Sequence, residues 1–258
     1  MPDWNAAQYL KYGAERTRAA EDLLARVALE APSSVVDLGC GPGNSTRLLW
    51  ERWPNADVTG LDRSPDMVDA ARAAFPGRSW ATVDIADWTP ARPMDVAFSN
   101  AALQWLSGHD TLIPRLFSMV APGGALAFQI PGRRYAPVRA LIDDVSREPR
   151  WNDRLEAARR ALTMESPAFY YDVLSGVASS LDVWETQYVH VLESPAAVVD
   201  WMAGTGLRPY LQALADEAER QAFLEALRPR VREAYGPQPD GRVLFPFNRT
   251  FVIAWRQA

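Results

Sequence analysis

The sequence predicts an α/β fold in which a mostly parallel sheet, covered by helices on both faces, ends in an antiparallel pair. Three observations carry this prediction. Over the first half of the chain, short apolar runs of strand character alternate with helical patterns, and the order strand, helix, strand joins neighbouring strands in parallel. A glycine-rich turn, VVDLGCGPGNS at residues 35–45, follows the first strand, where open parallel sheets hold their ligand crevice. The 258 residues, 48% hydrophobic and 23% charged, suffice for one globular domain with a sizeable core.

The elements follow in order. Strand-like runs occupy residues 34–39 (SVVDLG), 57–62 (DVTGLD), 80–85 (WATVDI), 95–100 (DVAFSN) and 125–131 (ALAFQIP). Helical patterns at 45–53 and 65–75 lie between the first three; Asn44 or Ser45 suits the first helix as a cap, and Ser64-Pro65 supplies the second with a cap and a first-turn proline. After Pro131 the rhythm breaks into an Arg-rich, helical stretch to about residue 167. Two further strands follow, 183–192 (VWETQYVHVL) and 250–256 (TFVIAWR), with a second helical block at 196–235 between them. The expected organisation is one domain over residues 1–258. Residues 30–131 form its binding core, and 132–182 and 196–240 are mainly helical insertions that cap it.

Composition excludes several functional classes. A net charge of −5 without a Lys/Arg-rich run gives no electrostatic footprint for nucleic acid or anionic lipid, so an anionic substrate needs a local basic pocket. One cysteine, Cys40, and two histidines, His109 and His190, cannot furnish an internal disulfide or a Cys/His zinc site, and no metal is expected. No apolar run approaches the roughly 20 residues that span a bilayer, and the polar start lacks a signal-peptide pattern, so the expected location is cytoplasmic.

Gly39, Gly41 and Gly43 let a ligand approach main chain, although a bare turn joining strand to helix has the same look. Asp62 closes the second strand about 20 residues after the loop, where an acid bonds the hydroxyls of a ribose; it equally suits the start of the following helix. Asp37 at the loop's mouth disfavours a pyrophosphate and suits a cationic ligand. Asn44 stands where the dinucleotide fingerprint needs a small residue, and no Gly-Lys-Ser/Thr follows. A nucleoside with positive charge and no phosphates fits better than NAD or ATP.

Taken together, VVDLGCGPGNS, GLDRSPDM and TVDIADW resemble the three binding motifs of the class I S-adenosylmethionine-dependent methyltransferases, over roughly residues 30 to 131. The resemblance implies a Rossmann-like, doubly wound, seven-stranded sheet whose last strand is antiparallel. It implies S-adenosylmethionine as cofactor and S-adenosylhomocysteine as product. It assigns Asp37, Gly39 and Gly41 to the loop around the methionine part, Asp62 to the ribose, Met67 and Ile85 to the faces of the adenine and Asp84 to its amino group. Asn100 and Ala101 would border the sulfonium, with Cys40, Asn44 and Arg63 alongside; Cys40 reads as a turn residue, not a nucleophile. Tyr9 and Arg16, which share a helix face with Tyr12, would fold over the cofactor.

The segment SNAALQW at residues 99–105 lacks the Asn/Asp-Pro-Pro-Tyr/Phe pattern of methyltransferases acting on nucleic-acid bases. Instead WNAAQYLKYGAERTR, NAALQWL, ESPAFYYDVLS, DWMAGTGLRPYL and FNRTF resemble the trans-aconitate methyltransferases, and this resemblance runs from end to end. It implies a monomethyl ester formed on a small tricarboxylate. A carboxylic acid of pKa about 4 is already ionised at neutral pH, so no catalytic base is required, and alignment and exclusion of water carry the reaction. Arginine pairs with carboxylates through two parallel hydrogen bonds, which makes Arg133, Arg134, Arg208 and Arg249 candidates. Tyr170 and Tyr171 offer hydroxyls, Trp105 and Trp201 offer either pocket walls or, as large aromatics, core packing, and His109 lies either in reach of an acceptor carboxylate or on a solvent-facing loop. Alternatives are a different small acid, a phenol or quinone-like acceptor, a non-catalytic S-adenosylmethionine sensor, and an NAD-dependent oxidoreductase.

Overall fold

A computed structural model describes residues 13–132 and 137–258, apart from the side chains of Ala14 and Arg16. Tyr9, Tyr12, Arg133, Arg134 and the side chain of Arg16 lie outside the described residues.

Seven strands form one sheet: β1 (Ser34–Leu38), β2 (Asp57–Asp62), β3 (Ser79–Thr82), β4 (Met94–Asn100), β5 (Val120–Pro131), β6 (Ser180–Leu192) and β7 (Val243–Trp255). Their order is β3-β2-β1-β4-β5-β7-β6, parallel throughout except for β7, which runs antiparallel to both of its neighbours. The strand order reverses between β1 and β4, so the ends of these two strands flank the crevice where open α/β sheets bind ligands. The described helices are α1 (Gly13–Ala25), α2 (Asn44–Arg52), α3 (Pro65–Ala74), α4 (His109–Ser118), α5 (Pro137–Ser146), α6 (Glu156–Arg159), α7 (Pro167–Ser175), α8 (Pro195–Ala203), α9 (Arg208–Ala213) and α10 (Glu217–Ala234).

Apolar residues on the two sheet faces build separate cores. On one face, alternate residues of β4, β5 and β7 (Val96, Phe98, Ala125, Ala127, Phe251, Ile253) pack under α1 and α2. On the other, Val36, Leu38, Leu126, Phe128 and Val252 pack under α4 and α7. A third core joins α5, α6 and α8–α10 to the far ends of β6 and β7, with Trp201, Tyr210, Phe223 and Phe245 at its centre. Among the described residues no helix is long and apolar enough to cross a membrane.

Several boundaries differ from the expected ones for local reasons. β3 stops at Thr82, before Asp84 and Ile85, because the chain turns at Asp84: its Oδ1 accepts the Ala86 amide at 2.9 Å and its carbonyl accepts the Trp88 amide at 3.0 Å. β7 begins seven residues earlier than expected, at Val243 instead of residue 250. Its first half pairs with β6 alone, so Pro246 lies where one edge of the strand carries no ladder and its missing N–H costs nothing. Neither Asn44 nor Ser45 caps α2. Gly43, in the left-handed region at φ 93°, holds the cap position, and Ser45 turns inward. Ser64 occupies the cap position of α3 without making the capping bond, and Pro65 opens that helix as expected.

Candidate active site

A cleft opens at the carboxyl ends of β1, β2 and β4. Its walls bring together Gly39, Gly41, Asp62, Arg63, Met67, Asp84, Ile85, Asn100, Ala101 and Trp105, drawn from well-separated stretches of the sequence. A much smaller space lies behind the glycine loop, between α1 and the start of α2, where it meets Gly13, Thr17, Cys40, Asn44 and Ser45. Gly39 and Asn100 border both spaces.

The loop is shaped by its glycines. Gly39, Gly41 and Gly43 have φ values of 79°, 53° and 93°, a region that costs most L-residues about 1–2 kcal/mol. At Gly39 a Cβ would also stand 2.1 Å from the Ala102 Cβ, so only glycine lets the β1 turn pass this close to the segment after β4. The loop is pinned to β2 through the amides of Gly39 and Cys40, both donated to the Leu61 carbonyl at 2.8 and 2.9 Å.

Asp62 makes two local ties at the cleft wall. Its Oδ2 accepts the Gly41 amide and its Oδ1 the Ser64 amide, each at 2.9 Å, so one carboxylate fixes both the loop and the start of α3. Each oxygen retains a lone pair for a further donor. Burial raises its pKa above the ordinary carboxylate value, and the Ser64 and Gly41 amides oppose that rise. Asp84, from the turn after β3, lines the same cleft. Met67 and Ile85, both buried to within a few per cent, give the wall its apolar faces.

Asp37 does not reach the wall of the cleft. Every residue of β1 is buried, and the Asp37 side chain points beneath α2, where its Oδ2 accepts hydrogen bonds from Ser45 Oγ (2.7 Å) and Thr46 Oγ1 (2.6 Å). Its Oδ1 is buried without a hydrogen-bond partner. Burial pushes its pKa up to about 6, against the lowering effect of the two hydroxyls, with Asp62 adding to the rise. Cys40 is buried as well, and burial beside Asp37 and Asp62 keeps its thiol protonated, which fits a turn residue.

The structure separates the candidate acceptor residues. Trp105 is on the cleft wall, joined there by Pro42, Ala102 and Leu106, which sequence reasoning missed. His109 is neither in the cleft nor exposed: it is 2% exposed at the first turn of α4, with Nδ1 2.7 Å from the Tyr170 hydroxyl and Nε2 2.9 Å from the Leu103 carbonyl. Tyr170 is fully buried in the core between α7 and β5, against Phe128, and Tyr171 faces outward on α7, 54% exposed. Trp201 belongs to the third core, tilted 4.7 Å from His190 and packed against Phe245 and Phe247. Large aromatic side chains on amphipathic elements were drawn into cores, where most such residues go. Arg208 opens α9, half-buried and away from the cleft lining.

Arg249 differs from the other arginines. It is 5% exposed in β7, its guanidinium lies 4.7 Å above the Phe247 ring, and it donates to Gln129 Oε1 at 3.3 Å. Gln129 in turn donates through Nε2 to Asn100 Oδ1 at 2.5 Å, so a buried polar chain runs from Arg249 to the edge of both cavities. The single polar residue in the apolar run ALAFQIP was the available signal for Gln129.

Comparison with known proteins agrees with this geometry. The methyltransferase domain family matches residues 35–124. A trans-aconitate 2-methyltransferase from an Azoarcus species is 48% identical over 256 residues, covering 99% of this chain and all of the relative. One from Methylobacterium nodulans is 49% identical over 257 residues, 99% of each chain. Among solved structures, the YcgJ protein from Bacillus subtilis superposes with a TM-score of 0.61 at 11% identity, over 93% of this chain and 99% of that one. A Haemonchus contortus phosphoethanolamine N-methyltransferase 2, solved with phosphomonomethylethanolamine and S-adenosylhomocysteine, gives 0.58 at 13% identity, over 93% of this chain and 53% of that one. At such identities the structural likeness speaks for the fold.

Proposed function

Because this chain belongs to the trans-aconitate 2-methyltransferase family, we infer that it transfers a methyl group from S-adenosylmethionine to a carboxylate of trans-aconitate, forming a monomethyl ester. The observation that carries the reading is the pairing of two carboxylates, Asp62 and Asp84, with the apolar faces of Met67 and Ile85 and a bare glycine turn around one cleft. That donor set fits a nucleoside with hydroxyls, an amino group and an apolar ring. It provides no basic cradle for phosphates.

When bound, S-adenosylmethionine supplies a methyl group activated by its sulfonium, and S-adenosylhomocysteine is the coproduct. Asp62 and Asp84 hold the ribose and adenine ends, Met67 and Ile85 the ring faces, and Gly39 and Gly41 admit the chain that carries the sulfur. Arg63 stands at the mouth, and Cys40 and Asn44 border the smaller cavity where the methionine end continues. Asp37 acts from beneath, fixing Ser45 and Thr46 and placing a negative field under a cationic ligand. Asn100 and Ala101, at the end of β4, would border the sulfonium and its methyl group. Ala101 holds φ 55°, a strained value for a residue with a side chain, stabilised by the hydrogen bond that its N–H donates to the Gln129 carbonyl at 3.0 Å.

On the acceptor side, Trp105 and Leu106 form a wall that excludes water, and Arg249, which lines neither of the two cavities, reaches the cleft through Gln129 and Asn100. The helices of the third core cap this side. The acceptor arrives ionised, so orientation and desolvation carry the rate and no proton is removed. A phenolic acceptor would need a base. Neither histidine can serve as one: His109 has each ring nitrogen engaged, and His190 is buried among aromatic rings, its pKa pushed down to about 4 by desolvation and by Arg249.

The test is a transfer assay with methyl-labelled S-adenosylmethionine on trans-aconitate, cis-aconitate, citrate, isocitrate and a phenol in parallel. Base-labile label on trans-aconitate supports the reading. Labelling of the phenol alone, or none while the cofactor binds, refutes it.

A further inference from the structure

The acceptor wall of the cleft is a short segment with little structure of its own. After β4 the chain makes one 3-10 turn, Leu103–Trp105, and residues 101–106 supply Ala101, Ala102, Trp105 and Leu106 to the cleft. Runs of 3-10 structure this short have poor hydrogen-bond geometry and depend on external ties. The ties here come from behind. The Leu103 carbonyl accepts the Leu106 amide and His109 Nε2, both at 2.9 Å. The Gln104 carbonyl accepts the Thr163 amide at 2.8 Å, and Gln104 Nε2 donates to the Ala101 carbonyl at 2.6 Å.

The His109 bonds have a definite direction. A carbonyl can only accept, so the Leu103 contact requires the proton on Nε2, which leaves Nδ1 as the acceptor for the Tyr170 hydroxyl at 2.7 Å. The Tyr170 oxygen then accepts the Glu165 amide at 3.4 Å. The result is a one-way chain, Glu165 N–H to Tyr170 O–H to His109 to the Leu103 carbonyl. It lies in a region where both rings are at most 2% exposed and where hydrogen bonds strengthen one another. Burial also lowers the pKa of His109, which keeps the ring neutral and the direction fixed. Neither ring lines the cleft, so the pair acts through the turn.

We propose that His109 and Tyr170 are positioning residues that tie the Trp105 wall of the cleft to the segment leading into α7, and so set the place of the acceptor. The wall's place rests on the geometry alone, and the identity of the acceptor rests on the trans-aconitate reading. Alignment of reacting atoms tolerates little error, and a shift of about 1 Å can cost on the order of 100-fold in rate.

The experiment compares His109→Leu, His109→Gln and Tyr170→Phe with wild type. The glutamine Nε2 can reproduce the donor to Leu103, leucine cannot, and Tyr170→Phe removes one hydroxyl while keeping the packed ring. Steady-state kinetics with trans-aconitate, calorimetric S-adenosylmethionine affinity and amide hydrogen exchange are measured on each. For His109→Leu, kcat/KM for the acceptor is expected to fall about tenfold or more. Cofactor affinity should stay within about twofold of wild type, and exchange should quicken at Leu106 and Thr163 but not in the glycine loop. His109→Gln should recover much of the loss, and Tyr170→Phe should lie between them.

Wild-type exchange at Leu106 and Thr163 in both His109→Leu and Tyr170→Phe overturns the positioning role. So does a loss spread evenly over cofactor affinity, exchange at every site and turnover, which marks a merely structural pair. An inactive wild type whose variants still show the localised exchange overturns the acceptor's identity and leaves the positioning role supported.

Discussion

The Gln129 carboxamide is fixed between two residues that the sequence keeps far apart: its Nε2 lies 2.5 Å from Asn100 Oδ1 and its Oε1 3.3 Å from the Arg249 guanidinium. One neutral side chain thus joins the Asn100 amide at the cleft to the Arg249 guanidinium. Gln129→Glu changes both contacts at once: it sets a carboxylate against the Arg249 guanidinium, and it can no longer donate to Asn100 Oδ1. We expect the acceptor KM to rise about tenfold or more, in line with hydrogen bonds to charged groups of about 1.5–3 kcal/mol, and the fold to lose some stability because the buried Asn100 Oδ1 loses its donor. Steady-state kinetics and urea unfolding check this, and an unchanged KM would remove Arg249 from the acceptor site.

Asp62→Ala is expected to weaken S-adenosylmethionine binding by about tenfold or more, since the substitution deletes a charged hydrogen-bond acceptor from the wall and releases the Gly41 amide. Titration calorimetry reads this directly. An affinity equal to wild type would mean that Asp62 serves only the α3 start.

Asp37 couples stability to pH. Its folded pKa of about 6 lies above the ordinary 3.8, so between these values the native state binds more protons than the unfolded state. Stability from this group is therefore greatest at low pH, falls as pH rises from about 4 to about 6, and levels off above. Asp37→Asn, which carries no charge to desolvate, should gain on wild type by on the order of 2–3 kcal/mol between about pH 4 and pH 7. Chemical unfolding of both proteins across that window measures the gap. A gap that is constant with pH would contradict the buried, raised carboxyl.

Gly39→Ala combines a left-handed φ of 79° with a Cβ placed 2.1 Å from that of Ala102. The β1 turn and the segment after β4 cannot both stay in place, so the melting temperature and cofactor affinity should fall together. Gly41→Ala provides the comparison, because nothing lies within 4 Å of its added Cβ and only the φ of 53° opposes it. Equal behaviour of the two variants would show that close packing at Gly39 is unimportant.

Much of the binding core was legible in the sequence because each signal there is local. Short apolar runs marked the strands, the spacing from the glycine turn marked Asp62, and the family resemblance of the motifs added Met67, Asp84 and Asn100, which converge with it on one cleft. Signals that depend on long-range pairing were harder to read. The first half of β7 carries Pro246 and Asn248 in a run that does not look like a strand, and only its long ladder with β6 makes it one. Asp37 read as an acid facing the ligand at the loop's mouth because sequence does not tell which face of a fully buried strand a side chain enters. His109, Tyr170 and Trp201 stood as candidate pocket residues beside other readings because aromatic and polar character is shared by cores and sites. The partnership of Arg249 with Gln129, 120 positions apart, had no local trace.

The most direct measurement is the pH dependence of kcat for base-labile methyl ester formation on trans-aconitate, from about pH 6.5 to 8.5. A carboxylate acceptor of pKa about 4 is fully ionised across this range, so kcat should be flat. Absence of ester with the cofactor bound, or a kcat that climbs about tenfold per pH unit as a proton is removed, would contradict the account.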